Sequence, residues 1–225
     1  IIAYVLFTTT GLDVPALINL AIQVPLKGFV LSVGGTIFLQ FISDVLWVFG
    51  MHGSDILAPI RQAPLLQSIQ ENMTAFAAHK AIPNIITDPF INSFGLIGGG
   101  GCILPLLIAI FIFSKRKDFR QVGKLGLPTS LFNITEPVMF GLPVVMNPIL
   151  MIPCASIPSI NIIIAYFVTA IGVVGKTVAH APWTTPPVLM AFLSTGGNWM
   201  AAIFTSLLIV LDVFLIMPFV VASYK

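Results

Sequence analysis

Charged residues are scarce in this sequence. Asp, Glu, Lys and Arg together make up 8% of its 225 residues, and hydrophobic residues make up 57%. Because soluble domains are usually about 25% charged, a soluble fold of this length could not bury so much apolar surface. The composition therefore excludes an ordinary soluble domain. It predicts an all-α integral membrane protein, a polytopic helical bundle with re-entrant hairpins and broken helices.

Cysteine is nearly absent as well. Cys102 and Cys154 stand in apolar runs, without a neighbouring cysteine or histidine at the spacing of a metal site or a redox pair. We interpret both as small buried hydrophobic residues, and we expect neither a metal ion nor a cofactor. The glycines at 98–101 are not followed by Lys-Ser or Lys-Thr, which excludes a phosphate-binding loop and favours close packing of helices.

Half of the basic residues fall in one short loop between apolar runs. They are Lys115, Arg116, Lys117, Arg120 and Lys124. Lysine and arginine accumulate in the cytoplasmic loops of membrane proteins, so we expect this loop in the cytoplasm. Because the flanking runs are apolar, the cluster indicates contact with a lipid bilayer and not with a nucleic acid.

The apolar runs are long enough to cross a bilayer as helices. The predicted spans lie at about 28–50, 96–113, 138–153, 157–175 and 199–222. The segments between them are too polar or too rich in proline for simple spans. The predicted re-entrant or interfacial segments are 53–95, 125–137 and 177–198. Residues 1–27 are expected to be the end of a preceding span plus an interfacial amphipathic helix, so that 28–225 form the substrate-binding transport domain.

One acidic residue, Asp44, lies inside the first predicted span. An ionisable side chain at membrane depth is costly and marks either a structural pair or a functional group. We slightly favour a hydrogen bond between helices over a role in transport, and the sequence leaves both open.

Three polar clusters interrupt the apolar pattern. They contain His52 (residues 47–53), Asn133 and Glu136 (133–137), and Trp183 and Thr184 (182–186). The second cluster lies in an apolar, proline-broken stretch, where an unpaired carboxylate costs about 2.5 kcal/mol or more. In transporters, paired proline-interrupted segments point to the substrate site, and the second and third clusters form such a pair.

The side chains in these clusters suit a sugar. Carboxylate, amide, imidazole and hydroxyl groups bind sugar hydroxyls, and a tryptophan ring packs against the C–H face of a pyranose. Glu136 is suited to accept a hydroxyl proton, and His52 to donate to or share a proton with the same group. The alternatives are a helix cap for His52, an interfacial belt position for Trp183, and a bond to broken backbone for Asn133. For Asn147 we favour that last alternative.

These clusters together resemble a known family. The run Asn-Ile-Thr-Glu-Pro-Val-Met-Phe-Gly-Leu-Pro-Val-Val-Met-Asn-Pro follows Trp-Val-Phe-Gly-Met-His-Gly and precedes Pro-Trp-Thr-Thr-Pro-Pro. In this order they are similar to the membrane subunit, enzyme IIC, of a bacterial sugar phosphotransferase system. The closest branch is the lactose/cellobiose/diacetylchitobiose family, and the match corresponds to the C-terminal part of such a subunit.

The resemblance implies a disaccharide permease of the bacterial inner membrane, multi-pass and working with a cytoplasmic IIB protein that carries a phosphocysteine. It implies catalytic roles for Glu136 and His52 beside the sugar's C6 hydroxyl. Those two residues, with Trp183, Asn133 and Thr184, are the expected binding residues. The family further implies a homodimer formed largely through N-terminal spans, which we expect this sequence to lack. The chain itself would contribute to phosphotransferase activity without supplying the phosphoryl group.

Three alternatives stay open at the level of sequence. The first is a proton-coupled secondary sugar transporter without phosphorylation, in which the buried Glu and His relay protons. The second is an intramembrane enzyme acting on a lipid-linked sugar, and the third is a regulatory sensor that no longer transports. Dependence of uptake on a phosphoryl donor distinguishes the main hypothesis from the first alternative.

Overall fold

The computed structural model describes residues 24–142 and 144–223, and every regular element in these ranges is a helix. In chain order they are α1 (Val24–Val30), α2 (Val33–Val48), α3 (Gly53–Ala77), α4 (Asp88–Phe90), α5 (Ile103–Phe113), α6 (Lys117–Ser130), α7 (Glu136–Gly141), α8 (Met151–Ala170), α9 (Pro187–Ser194) and α10 (Trp199–Ala222). A π-helical turn, Ile91–Gly95, continues α4. The all-α prediction is confirmed. Of the segment 1–27, expected to be the end of a span plus an interfacial helix, residues 1–23 lie outside the described part.

Two described helices, α8 and α10, are long and apolar enough to cross a membrane, with 20 and 24 residues. At 1.5 Å per residue, 20 residues reach roughly 30 Å, the thickness of the hydrocarbon core. Helices α1 and α2 meet the same criterion together, which makes up to three candidate spans in the described ranges. Helix α5 is apolar but shorter.

The bend between α1 and α2 measures 77°. Ser32 caps α2, because its Oγ accepts from the backbone N of Gly35 at 3.0 Å and donates to the carbonyl O of Phe29 at 2.7 Å. A Cβ at Gly35 would lie 1.8 Å from that carbonyl O, so the bend requires glycine. The predicted span 28–50 is therefore a bent pair of helices.

Two other predicted spans also differ in their helical extent. In 96–113 the helix begins only at Ile103, because the glycine run before it forms turns with positive φ angles. Helix α7 ends at Gly141 and α8 begins at Met151, so 138–153 is not one continuous helix. Met146, at φ 60°, lies in the break. Pro153 falls in the first turn of α8, where its missing N–H costs no helical hydrogen bond.

The predicted re-entrant or interfacial segments contain helices too. Most of 53–95 is the 25-residue helix α3, which includes Pro59 and Pro64. Helix α6 extends into 125–137, and α9 lies within 177–198. The division of the chain into spans and re-entrant segments stays a prediction.

The core of the bundle is arranged around the π-helical turn. Helix α8 packs along α2, α10 packs along α5 and α9, and the turn contacts α8 and α9. Phe90 and Phe94 are fully buried there, and a Cβ at Gly95 would lie 2.8 Å from Ile162. Both cysteines are free and buried, as interpreted from the sequence. This packing brings the polar connections between helices to one side of the bundle's core.

Candidate functional site

The three polar clusters meet at one cavity of about 520 Å³. Ligand cavities typically measure roughly 300–1,000 Å³, so this one is large enough for a small molecule. His52, Asn133, Glu136 and Trp183 line it, whereas the half-buried Thr184 does not appear on the wall formed by the described residues. The fold thus unites all predicted site residues except Thr184, and their roles in binding stay predictions.

His52 lies between α2 and α3 and is held by three contacts. Its Nδ1 lies 3.0 Å from Oδ2 of Asp55 and 3.3 Å from the backbone N of Asp55, the position of a helix cap. The ring of Trp47 packs against the imidazole at 4.3 Å between centroids, tilted by 56°. The capping position predicted as an alternative and the cavity position therefore apply to the same side chain, which is 43% exposed.

Glu136 is the first residue of α7, a favourable place for a carboxylate because backbone N–H groups point out of a helix N-terminus. Its side chain is exposed to the cavity. It makes no hydrogen bond or ion pair with any residue in 24–142 or 144–223. Both carboxylate oxygens are therefore available to a ligand.

Asn133 joins the second polar cluster to the third. Its Nδ2 donates to the carbonyl O of Trp183 at 2.7 Å and to that of Thr185 at 2.8 Å. Its Oδ1 is buried and has no partner among the described residues. The amide nitrogen therefore supports broken backbone, as the alternative predicted, while the amide oxygen is enclosed by the protein.

The glycine run forms the floor of this arrangement. Gly99 has φ +88°, and a Cβ there would lie 2.3 Å from Cγ2 of Thr135 and 2.5 Å from the carbonyl O of Asn133. A Cβ at Gly100 would lie 2.9 Å from Nε1 of Trp47. The close packing predicted for these glycines is confirmed, and it lets the second cluster approach α2.

Trp183 is 61% exposed, with its backbone fixed by Asn133 and its ring on the cavity wall. Asn147 does not line the cavity. Its Oδ1 accepts from the backbone N atoms of Ile149 and Leu150 at 3.0 and 3.1 Å. The local backbone role that the sequence favoured for Asn147 is confirmed.

The comparisons with known proteins identify the family of the chain. A family model described as "Phosphotransferase system, EIIC" matches residues 1–158. The chain belongs to this family. It is 35% identical to the PTS system cellobiose-specific EIIC component of Lactococcus lactis subsp. lactis (strain IL1403), over 100% of this chain and 50% of the relative. It is 37% identical to the PTS system oligo-beta-mannoside-specific EIIC component of Bacillus subtilis (strain 168), over 79% of this chain and 40% of that relative.

A solved structure matches the fold of this EIIC chain. The transporter ChbC, the IIC component from the N,N'-diacetylchitobiose-specific phosphotransferase system, superposes with a TM-score of 0.89 at 30% identity. The match covers 97% of this chain and 51% of ChbC. The resemblance read from the polar motifs is thereby confirmed. The chain spans about half the length of these relatives or less.

The cavity of this EIIC chain also contains polar residues that were not predicted as site residues, on α3 and on the π-helical turn after α4. Asp55 and Arg61 come from α3, and Asn92, whose Nδ2 donates to Oδ2 of Asp88 at 2.9 Å, comes from the turn. Burial raises the pKa of the Asp88 carboxyl, while His180 and Arg61 oppose the rise. The polar character of segment 53–95 was visible in the sequence. That Asp55, Arg61 and Asn92 line one cavity was not, because their shared position depends on α3 being one long helix.

Away from the cavity, the chain has two buried amide–carboxyl pairs. Nε2 of Gln40 donates to Oδ2 of Asp44, and Nδ2 of Asn161 donates to Oδ2 of Asp212, both at 2.9 Å. Each carboxyl group keeps an Oδ1 without a partner among the described residues. The favoured bond between helices is wrong for Asp44, because Gln40 precedes it by one turn on α2. Gln40 in turn accepts from Nη1 of Arg61 at 3.4 Å, which links the pair to α3.

Proposed function

We propose that this chain is the sugar-binding and translocating part of a phosphotransferase-system permease. Its substrate is a disaccharide such as cellobiose, N,N'-diacetylchitobiose or lactose, which a phosphorylated IIB protein modifies at C6. The permease resides in the bacterial inner membrane as a multi-pass protein and assembles as a homodimer through parts of the protein outside this chain. Family membership and the names of the relatives support this class of substrate.

The observation that carries the proposal is the single cavity that joins His52, Glu136 and Trp183. These side chains come from three connections far apart in the sequence, and together they supply the groups that a sugar requires. Glu136 has no protein partner in the described ranges, and its exposed carboxylate offers acceptors to a ligand in the cavity. Trp183 offers an apolar face for the C–H groups of a pyranose.

In this mechanism, Glu136 and His52 hold the C6 hydroxyl, and the transport domain moves the bound sugar to the cytoplasmic side. The basic residues around the start of α6 are exposed, which fits a cytoplasmic position. There the phosphoryl group passes from the partner's phosphocysteine to the hydroxyl oxygen. The phosphate makes the product anionic and unable to cross the bilayer again.

Binding of cellobiose, N,N'-diacetylchitobiose and lactose to the full-length purified protein tests the proposal. We expect at least one of them to bind, with glucitol as a non-disaccharide control that does not. Uptake into vesicles should then require phosphorylated IIB. A protein that binds none of the three, or whose uptake ignores the phosphoryl donor, would contradict the proposal.

A second candidate is proton-coupled sugar transport without phosphorylation. The two buried amide–carboxyl pairs favour it, because Asp44 and Asp212 each keep an unpartnered oxygen inside the bundle. Intramembrane carboxyl groups are common parts of proton relays. Uptake that collapses with the proton gradient and persists without IIB would select this candidate over the first.

A further inference from the structure

We propose that Asp55 is a positioning residue that keeps a proton on Nδ1 of His52. The other ring nitrogen, Nε2, is then the acceptor that takes the proton of the sugar's hydroxyl during phosphoryl transfer. This inference rests on the proposed function and assigns the acid–base roles within the same cavity. It makes His52 the base and leaves Glu136 to orient the hydroxyl.

The contact between the two side chains is the first step. Oδ2 of Asp55 lies 3.0 Å from Nδ1 of His52, a hydrogen-bonding distance. An ionised carboxylate has only lone pairs to offer, so a bare Nδ1 at this distance would be repelled. The contact therefore favours a proton on Nδ1 that is donated to Asp55, in place of the hydrogen bond that Nδ1 would otherwise accept from the backbone N of Asp55.

The backbone N of Asp55 does not require the lone pair of Nδ1. It lies 3.3 Å from Nδ1, but it also donates to the carbonyl O of His52 at 3.1 Å. With this donor satisfied elsewhere, the shorter contact to the carboxylate decides the tautomer. A carboxylate that holds one nitrogen of an imidazole in this way orients the ring and favours the charged form that arises when the ring accepts a proton.

The ring is fixed on its other sides as well. The ring of Trp47, which is only 5% exposed, packs against the imidazole. Trp47 in turn packs closely against Gly100. Nε2 makes no hydrogen bond to any residue the structure describes. His52 and Asp55 both line the cavity, so Nε2 is the ring nitrogen left for a ligand.

Other charges share the cavity with His52. Arg61 from α3 and Glu136 from α7 lie on the wall, but among the described residues only Asp55 has a carboxylate oxygen within 4 Å of a ring nitrogen. Asp55 is therefore the carboxylate best placed to control the protonation of the ring, and Glu136 is free for the substrate.

The proton transfer balances with one phosphoryl transfer. The C6 hydroxyl oxygen bonds to phosphorus while the P–S bond of the partner's phosphocysteine breaks, and the sulfur leaves as a thiolate. The hydroxyl proton moves to Nε2, and the ring becomes an imidazolium whose Nδ1–H still points to Asp55. The ring later returns the proton to water.

The test compares Asp55→Asn, Asp55→Glu and the matched control Asp118→Asn. Asp118 is also an exposed carboxylate in the first turn of a helix, on α6, and does not line the cavity. Phosphorylation of cellobiose, or of whichever of the three disaccharides binds most tightly, is measured from pH 5 to 9 with phosphorylated IIB. Binding of the same sugar is measured separately without IIB.

We expect Asp55→Asn to lower kcat by about 10–100-fold, the usual cost of losing an orienting partner, with sugar affinity little changed. An amide presents either its oxygen or its NH₂ to Nδ1, so it no longer selects one tautomer. Asp55→Glu should restore part of the rate, and Asp118→Asn should match the wild type.

A double-mutant cycle keeps the inference falsifiable if single variants are less stable. In a His52→Gln background, Asp55→Asn should cost no further rate, because Asp55 acts through His52. An additive loss, or an unchanged kcat in Asp55→Asn, would overturn the positioning role. Wild-type protein that binds no disaccharide or needs no IIB would instead overturn the proposed function.

Discussion

Two regions of the molecule hold carboxyl groups among apolar residues, and they differ in what those groups contact. In the cavity, Glu136 is exposed and contacts no polar group of the described chain. In the two buried amide–carboxyl pairs, Asp44 and Asp212 are 1% and 0% exposed, and each accepts from an amide. The cavity leaves both carboxylate oxygens of Glu136 available to a ligand. In the buried pairs, one oxygen of each carboxyl group already accepts a hydrogen bond from the protein.

The difference shows that a carboxylate in an apolar run does not by itself identify a binding site. Asp44 and Glu136 were both anomalous in the sequence for the same reason, the cost of a charge at membrane depth. The structure separates them by exposure and by partners. Removing Glu136 is therefore expected to affect function, and breaking a buried pair is expected to affect stability.

The largest expected effect is that of Glu136→Gln. Sugar phosphorylation with phosphorylated IIB should fall by about 10²-fold, because the carboxylate that orients the attacking hydroxyl is lost. Thermal stability in detergent should stay near that of the wild type, because the exposed carboxylate has no protein partner. Wild-type-like phosphorylation would show that Glu136 has no role in the mechanism, and the proposed difference in function between Glu136 and the buried carboxyl groups would then fail.

Breaking a buried pair should give the opposite result. Asn161→Leu leaves Asp212 without a donor, and an unsatisfied buried polar group costs about 1–3 kcal/mol. We expect a lower midpoint of thermal unfolding and unchanged sugar affinity. Replacing both members of the pair by leucine should recover much of the stability, because no unpaired group remains.

The control for this prediction is the double variant itself. If Asn161→Leu with Asp212→Leu is less stable than Asn161→Leu alone, the pair stabilises the fold by more than the hydrogen bond that its two members make to each other. If Asn161→Leu instead abolishes uptake while the protein stays folded, the pair belongs to transport, and the proton-coupled candidate gains.

The helical class and the main polar motifs were predictable because they are local signals. Composition requires a membrane bundle, and the clusters around Asn133 and Trp183 stand out against apolar neighbours. Their meeting at one cavity was expected from the paired proline-interrupted segments and from the family resemblance. Which face each residue presents was not predictable. Thr184 was expected in the site and is absent from the wall, whereas Thr135, to which no role was assigned, lines it.

The helix boundaries were harder to predict for a physical reason. Hydropathy measures how apolar a run is, but it does not show where its backbone turns. The bend at Ser32 and the break at Met146 both lie inside apolar runs. Proline is also ambiguous in the sequence. Pro153 suggests a break in the apolar run 138–153, but it lies in the first turn of α8. Asp55 was missed because its contact with His52 exists only once α3 begins at Gly53.

Asn133 offers a test within the cavity itself, since it both supports backbone and faces the ligand. Asn133→Gly keeps the left-handed conformation accessible, at the observed φ of 62°, and removes the amide. It loses two hydrogen bonds to the third cluster, each worth about 0.5–1.5 kcal/mol net. We expect sugar affinity to weaken about 10-fold, measured by calorimetry.

Asn147→Gly is the matched control for that variant, because Asn147 bonds local backbone away from the cavity. It should lower stability slightly and leave sugar affinity unchanged. Equal losses of affinity in the two variants would mean that Asn133 acts only through general loosening of the segment, and not through its link to Trp183.

The smallest expected effect is that of Trp183→Ala. The ring is largely exposed, so its loss should change stability little. If the ring packs against the sugar, affinity should fall by the equivalent of about 0.5–1.5 kcal/mol, the size of an aromatic contact beyond simple burial. Trp183→Phe should retain part of the affinity, because it keeps an aromatic face. Wild-type affinity in Trp183→Ala would show that the ring belongs to the membrane interface, and the sugar site would then be reduced to Glu136, His52 and Asn133.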